Sequence, residues 1–251
     1  MTRPRRVVGV STKMYFSAAR THDYVRDLIR ELLGSGDILS GVDIFIMPDF
    51  ITLTSVVVQV AGTRIMCGAQ DTWHEDFGAF TGEVSPAVLA EVGCRMVEVG
   101  HAERRRIFGE TDEITARKAA AVVRNGMIPL VCIGERTRGD VRIAVDECQV
   151  QVEAVMAAVP ADAEVMLAYE PVWAIGAAQP ADPKHVVNVV GQIRGLDCVR
   201  NRAGTLRILY GGSAGPGLFE NLKHAVDGLF LGRFGHDPAQ MHRTIEEVAS
   251  A

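Results

Sequence analysis

One carboxylate stands at the end of the apolar run Val165-Met166-Leu167-Ala168-Tyr169-Glu170, and an apolar loop follows it. Glu170 has the makings of a general base. The loop Pro171-Val172-Trp173-Ala174-Ile175-Gly176 begins on a stiff proline and ends on a flexible glycine. Such a flap can exclude water and so strengthen the base beneath it. Other chemically capable groups also follow apolar runs: Lys13, then His101 with Glu103 in Gly100-His101-Ala102-Glu103-Arg104-Arg105, then Gly211-Gly212-Ser213, then Gly232-Arg233. Each has an ordinary explanation taken singly, as a solvated charge, a core histidine, a salt-bridging acid or a turn. Together they make a kit for one reaction, proton abstraction beside the carbonyl of a phosphorylated sugar. Glu170 takes the proton, Lys13 and His101 face the developing oxyanion, and glycine-rich backbone presents N–H groups to phosphate.

These groups meet only if the fold brings the ends of distant strands together. Eight apolar runs read as strands: Val7–Val10, Val42–Met47, Arg64–Gly68, Arg95–Val99, Ile128–Ile133, Val165–Tyr169, Leu206–Tyr210 and Gly228–Leu231. A segment with helical periodicity follows each. Ser85-Pro86, Asp182-Pro183 and Asp237-Pro238 place a capping side chain before a proline at the first helical position. Helical segments are expected over Thr111–Asn125, stopped by Gly126, and over Asp140–Val159, stopped by Pro160. Eight repeats average roughly 31 residues, the size of one unit of a (β/α)8 barrel. The first strand runs into Ser11-Thr12-Lys13-Met14 without a GxGxxG or P-loop, which disfavours a doubly wound open sheet. The expected architecture is α/β, one barrel domain over residues 1–251. In such barrels chemistry sits at the C-terminal ends of the strands, where these groups lie.

Composition narrows the function class. The net charge is −5 with both signs scattered, so no basic patch suggests a nucleic-acid partner. No apolar stretch reaches membrane-span length, and the apolar run after the basic start Met1–Arg6 is too short for a signal peptide. The five cysteines (Cys67, Cys94, Cys132, Cys148, Cys198) are odd in number and form no CxxC pair; they read as free thiols in a reducing cytoplasm. The seven histidines show no metal-ligand spacing, and neither metal nor organic cofactor is expected.

The motifs, in order, resemble the triosephosphate isomerase family over nearly the whole chain. They are Lys13-Met14; Gly68-Ala69-Gln70 with Gly78-Ala79-Phe80-Thr81-Gly82-Glu83; Gly100–Arg105; Phe108-Gly109-Glu110-Thr111; Val131–Glu135; Tyr169–Gly176; and Tyr210–Ser213. The resemblance implies a TIM barrel in which Lys13 stabilises the intermediate, His101 is the electrophile, Glu170 the base and Glu103 the ionic partner of Lys13. Gly176, Ser213 and Gly232 would hold phosphate. This family is itself the standard example of a carboxylate base, a neutral histidine and a closing loop, so those roles are inherited with the resemblance. It further implies a homodimer, with the loop Asp71–Phe77 reaching into the partner through Trp73 and Phe77.

Four stretches depart from the family pattern. Ser11-Thr12 replaces Asn-Trp before the lysine, Ala177-Ala178-Gln179 replaces Thr-Gly-Lys at the lid tip, Gly232-Arg233 replaces Gly-Gly, and Ala102 replaces serine. Serine has two fewer side-chain heavy atoms than asparagine, and a hydroxymethyl group adds two to a substrate. The expected substrate is therefore a tetrulose phosphate, with Ser11 making room and Arg233 adding a contact at the phosphate end. This looks like the tetrulose-phosphate isomerase branch, which interconverts L-erythrulose 1-phosphate and D-erythrulose 4-phosphate in erythritol catabolism. The alternatives are an ordinary glycolytic triosephosphate isomerase and, from another class, a barrel that binds a phosphorylated metabolite without turnover.

Overall fold

The computed structural model describes residues 5–251; most of the basic start, residues 1–4, lies outside them. The strands are β1 (Arg6–Ser11), β2 (Val42–Met47), β3 (Ile65–Ala69), β4 (Met96–Val99), β5 (Ile128–Ile133), β6 (Val165–Tyr169), β7 (Leu206–Tyr210) and β8 (Gly228–Leu231). They close into one barrel in chain order, and β8 pairs in parallel with β1. Five strands have the expected bounds, while β1, β3 and β4 differ by a residue at one or both ends. Such differences leave unchanged which side chains face inward.

The helices are α1 (Ala18–Leu33), α2 (Phe50–Val60), α3 (Pro86–Glu91), α4 (Ala102–Phe108), α5 (Asp112–Arg124), α6 (Val141–Ala158), α7 (Pro183–Gly195), α8 (Asp197–Arg200), α9 (Phe219–Leu222) and α10 (Pro238–Ala249). The expected caps form at Ser85, Asp182 and Asp237, and Thr111 and Asp140 cap α5 and α6 as well; each side chain accepts a backbone N–H of the first turn. A cap of this kind contributes about 1 kcal/mol and fixes where each helix starts.

The alternation of strand side chains splits the core in two. Val8, Val10, Val97, Val99 and Leu167 pack outward against helices, whereas Val7, Phe45, Met96, Leu130, Cys132, Met166, Leu209 and Phe230 fill the barrel. Phe45 occupies the axis because β1 offers Gly9 there: a Cβ on Gly9 would lie 2.0 Å from the Phe45 ring. The N-terminal end is plugged by charge, with buried Arg207 donating to Asp43 at 2.6 Å. The inward rows continue past the other end into the loops that carry Lys13, His101, Glu170, Ser213 and Gly232.

Candidate active site

Lys13, His101, Glu170, Ser213 and Gly232 all follow the C-terminal ends of their strands and line one cavity of about 270 Å³. Ser11, Glu98, Glu103, Gly176 and Arg233 line it too. The structure thus brings together every candidate catalytic and phosphate-site residue read from the sequence.

Lys13 Nζ donates to Glu103 Oε1 at 2.7 Å and lies 3.4 Å from His101 Nε2. Burial works against its charge, yet Glu103, Glu170 and Glu98 outweigh burial and raise its pKa, so the cation is firmly held. Its backbone is left-handed at φ 46°, an uncommon state for a residue with a side chain. The Gln70 side chain supports that turn by donating to the Lys13 carbonyl at 3.1 Å and the Met47 carbonyl at 3.0 Å.

His101 is the N-cap of α4, and its Nδ1 accepts the Glu103 backbone N–H at 3.1 Å. That bond puts the proton of a neutral ring on Nε2, the nitrogen that faces Lys13 and Glu170. Burial, reinforced by the Lys13 charge, lowers the imidazole pKa to about 4. At neutral pH the ring is an uncharged N–H donor.

Glu170 is buried, with Oε2 at 3.4 Å from His101 Nε2 but without hydrogen-bond geometry to any partner. Burial first, and then the charge of Glu98, push its pKa well above the usual carboxylate range, against the pull of Lys13. An unpaired, desolvated carboxylate is a strong base. Its room comes from Gly211, where a Cβ would lie 2.3 Å from Oε1.

The loop expected to act as a lid, Pro171–Gly176, borders the cavity with Ile175 and Gly176 and is held from several sides. Ser213 Oγ is within hydrogen-bond reach of the Ala174 and Ala177 carbonyls, at 2.8 and 3.0 Å. The Ala181 N–H donates to the Tyr210 hydroxyl at 2.8 Å, so the latched segment extends beyond the expected Pro171–Gly176. At its base, Glu135 accepts from Trp173 Nε1 at 2.9 Å and from the Tyr169 hydroxyl at 3.0 Å. Arg233 was expected at the phosphate end. It does line the mouth, but its Nη2 donates to the Gly176 carbonyl at 2.8 Å and ties the last loop to the lid.

Residues 6–248 match the family model of triosephosphate isomerase. The chain belongs to the triosephosphate isomerase family. It is 45% identical over 255 residues to the L-erythrulose-1-phosphate isomerase of Pectobacterium atrosepticum, covering 99% of this chain and 97% of that one. It is 38% identical to the triosephosphate isomerase of Chloroflexus aurantiacus, covering 95% and 97%, and 35% identical to that of Aquifex aeolicus, covering 96% and 98%. Members of the family are isomerases of phosphorylated sugars.

Sequence reasoning gave no role to Glu98, Gln70, Tyr210 or Glu135. The signal for Glu98 was there, as a lone acid inside the apolar strand Met96-Val97-Glu98-Val99. Gln70, Tyr210 and Glu135 were visible only as letters of motifs.

The two aromatic residues of the loop Asp71–Phe77 differ in exposure. Trp73 is half-buried in its own subunit, stacked on His74 at 4.1 Å and tilted against Phe80 at 5.5 Å. These contacts hold the ring within its own loop. Phe77 is 79% exposed, and Met14 beside the site is 95% exposed.

Proposed function

We propose that this chain, acting over residues 1–251 as one isomerase domain, interconverts L-erythrulose 1-phosphate and D-erythrulose 4-phosphate. The observation that carries the reading is Ser11, buried and lining the substrate cavity where family members place the larger asparagine. The 45% identity to an L-erythrulose-1-phosphate isomerase, against 38% and 35% to the triosephosphate isomerases, points the same way.

In this reading Glu170 takes the proton from C3 of L-erythrulose 1-phosphate, and the electron pair passes to the carbonyl oxygen on C2. Lys13 Nζ and His101 Nε2–H hold the enediolate oxygens. Glu170 returns the proton to C2, while the hydroxyl proton crosses from the C3 oxygen to the C2 oxygen past His101. Glu103 fixes Lys13. The backbone N–H groups around Gly176, Ser213 and Gly232 receive the phosphate, and the lid of Pro171–Gly176 keeps water from the intermediate. A phosphate-binding barrel without turnover needs none of the base chemistry, so the convergence of Lys13, His101 and Glu170 favours an enzyme.

Wild-type enzyme is expected to show a higher kcat/KM for L-erythrulose 1-phosphate than for dihydroxyacetone phosphate. Ser11→Asn should shift the ratio of the two specificity constants by roughly 10–100-fold toward the three-carbon substrate. Equal loss of both activities would make residue 11 a support for Lys13 instead of a size gate. Fast turnover of dihydroxyacetone phosphate with none of L-erythrulose 1-phosphate would leave an ordinary triosephosphate isomerase.

The working form in this reading is a cytoplasmic homodimer. The five unpaired cysteines suit a reducing compartment, and among the described residues no helix is long and apolar enough to cross a membrane. The exposed Phe77 supplies the apolar contact, and Trp73 holds its loop in shape. Sedimentation at micromolar concentration should give a dimer for wild type and a monomer for Phe77→Asp, which disturbs no packing within the subunit. A monomeric wild type would remove the dimer from the account.

A further inference from the structure

The cavity holds a second buried acid that the proposed mechanism does not use. Val97 and Val99 pack toward the helices and Met96 faces the barrel, so alternation along β4 turns Glu98 inward. Glu98 is 3% exposed and lines the same cavity as Ser11, Lys13, His101 and Glu170. Its Oε1 takes only a weak bond from Cys132 Sγ at 3.6 Å. Among the described residues no cation is paired with it; the charge of Lys13 reaches it only through space. Burial drives its pKa up to about 7 despite Lys13. A carboxyl group placed so costs stability, since apolar neighbours would pack there without loss.

The geometry of the site says what would satisfy it. The phosphate belongs at the mouth, with Gly176, Ser213 and Gly232, and the reacting carbons belong between Glu170, Lys13 and His101. Glu98 lies within β4, deeper than His101, and Ser11 closes β1 beside Lys13. The end of the substrate farthest from phosphate must point at this floor. A carboxyl group can accept a hydrogen bond from a hydroxyl when ionised and can donate or accept one when neutral.

We propose that Glu98, together with Ser11, forms a floor subsite that binds the terminal hydroxyl on the substrate carbon farthest from the phosphate. This rests on the four-carbon reading above. Ser11 supplies the space and Glu98 the recognition. A three-carbon substrate is too short to reach the floor and leaves Glu98 unsatisfied, which turns a loose size gate into a chemical one.

The test pairs a substrate hydroxyl with the side chain. L-Erythrulose 1-phosphate and its 4-deoxy analogue are compared on wild type, Glu98→Gln and Glu98→Leu. Wild type should favour the hydroxylated compound by about 10–100-fold in kcat/KM, the effect of one hydrogen bond to a charged or strongly polar partner. Glutamine, which still hydrogen-bonds, should keep most of that preference, and leucine should abolish it. Because ionised Glu98 costs stability, leucine at this site should leave the barrel folded, which a thermal melt at pH 8 checks. A wild type indifferent to the hydroxyl overturns the inference without any variant. So does a leucine variant that retains the preference. Absence of turnover on both compounds strikes the four-carbon reading itself, and the subsite falls with it; turnover of both without coupling to Glu98 strikes the subsite alone.

Discussion

Glu170→Gln is expected to cut kcat by about 10²–10⁴-fold, the usual worth of a positioned base, with substrate binding largely retained. The change keeps the shape that Gly211 accommodates and removes only the proton acceptor. The same substitution should make the protein more stable at neutral and alkaline pH. The folded-state pKa of Glu170 lies above its ordinary value, because burial and Glu98 disfavour its charge. The folded chain therefore binds more protons than the unfolded chain just above the ordinary carboxylate range. Stability from this group is fully present below that range and is lost as pH rises through the folded pKa. Glutamine has no charge to bury, so its gain over wild type should be absent near pH 4 and present at pH 8. Kinetics and melting curves at the two pH values read both effects. Near-normal turnover would remove Glu170 from the mechanism, and a variant less stable than wild type at pH 8 would contradict the electrostatics assigned to it.

Lys13→Met should lower kcat by about 10²–10³-fold and also weaken substrate binding, since one cation faces both the developing oxyanion and the phosphate. Methionine has a similar length and the same tolerance for a left-handed backbone, so the strain at residue 13 is carried over. The abandoned Glu103 is 40% exposed, and water can solvate it. The loss therefore reports on catalysis more than on folding. It should appear in both kcat and KM, whereas His101→Gln should act mainly on kcat. A Lys13→Met enzyme with ordinary kinetics would return the lysine to the status of a surface charge.

The barrel could be read from the sequence because its strands are apolar on both sides and its helices begin at chemically marked caps. Strand ends moved by a residue at Arg6, Ile65 and Met96, where a charged or small residue at the boundary obscures where pairing starts. Lys13, His101 and Glu170 could be named because strand ends converge in this architecture whatever the intervening loops do. What stayed hidden depends on which distant side chains meet. Arg233 reaches the Gly176 carbonyl 57 residues away, a contact that spacing cannot disclose. The ring partners of Trp73, His74 and Phe80, are likewise chosen by the path of the loop. Glu98 was passed over because an acid within a strand matters only once the strand is known to face an empty cavity.

The most direct measurement is to incubate the enzyme with L-erythrulose 1-phosphate in D2O and follow the mixture by proton and carbon NMR. The account predicts conversion to D-erythrulose 4-phosphate, with solvent deuterium entering at C3 of the product, the carbon that was C2 of the substrate, or at C3 of recovered substrate. A single base that exchanges its proton before returning it requires that label. No conversion of the four-carbon phosphate, or conversion with no deuterium at either carbon, would contradict the account.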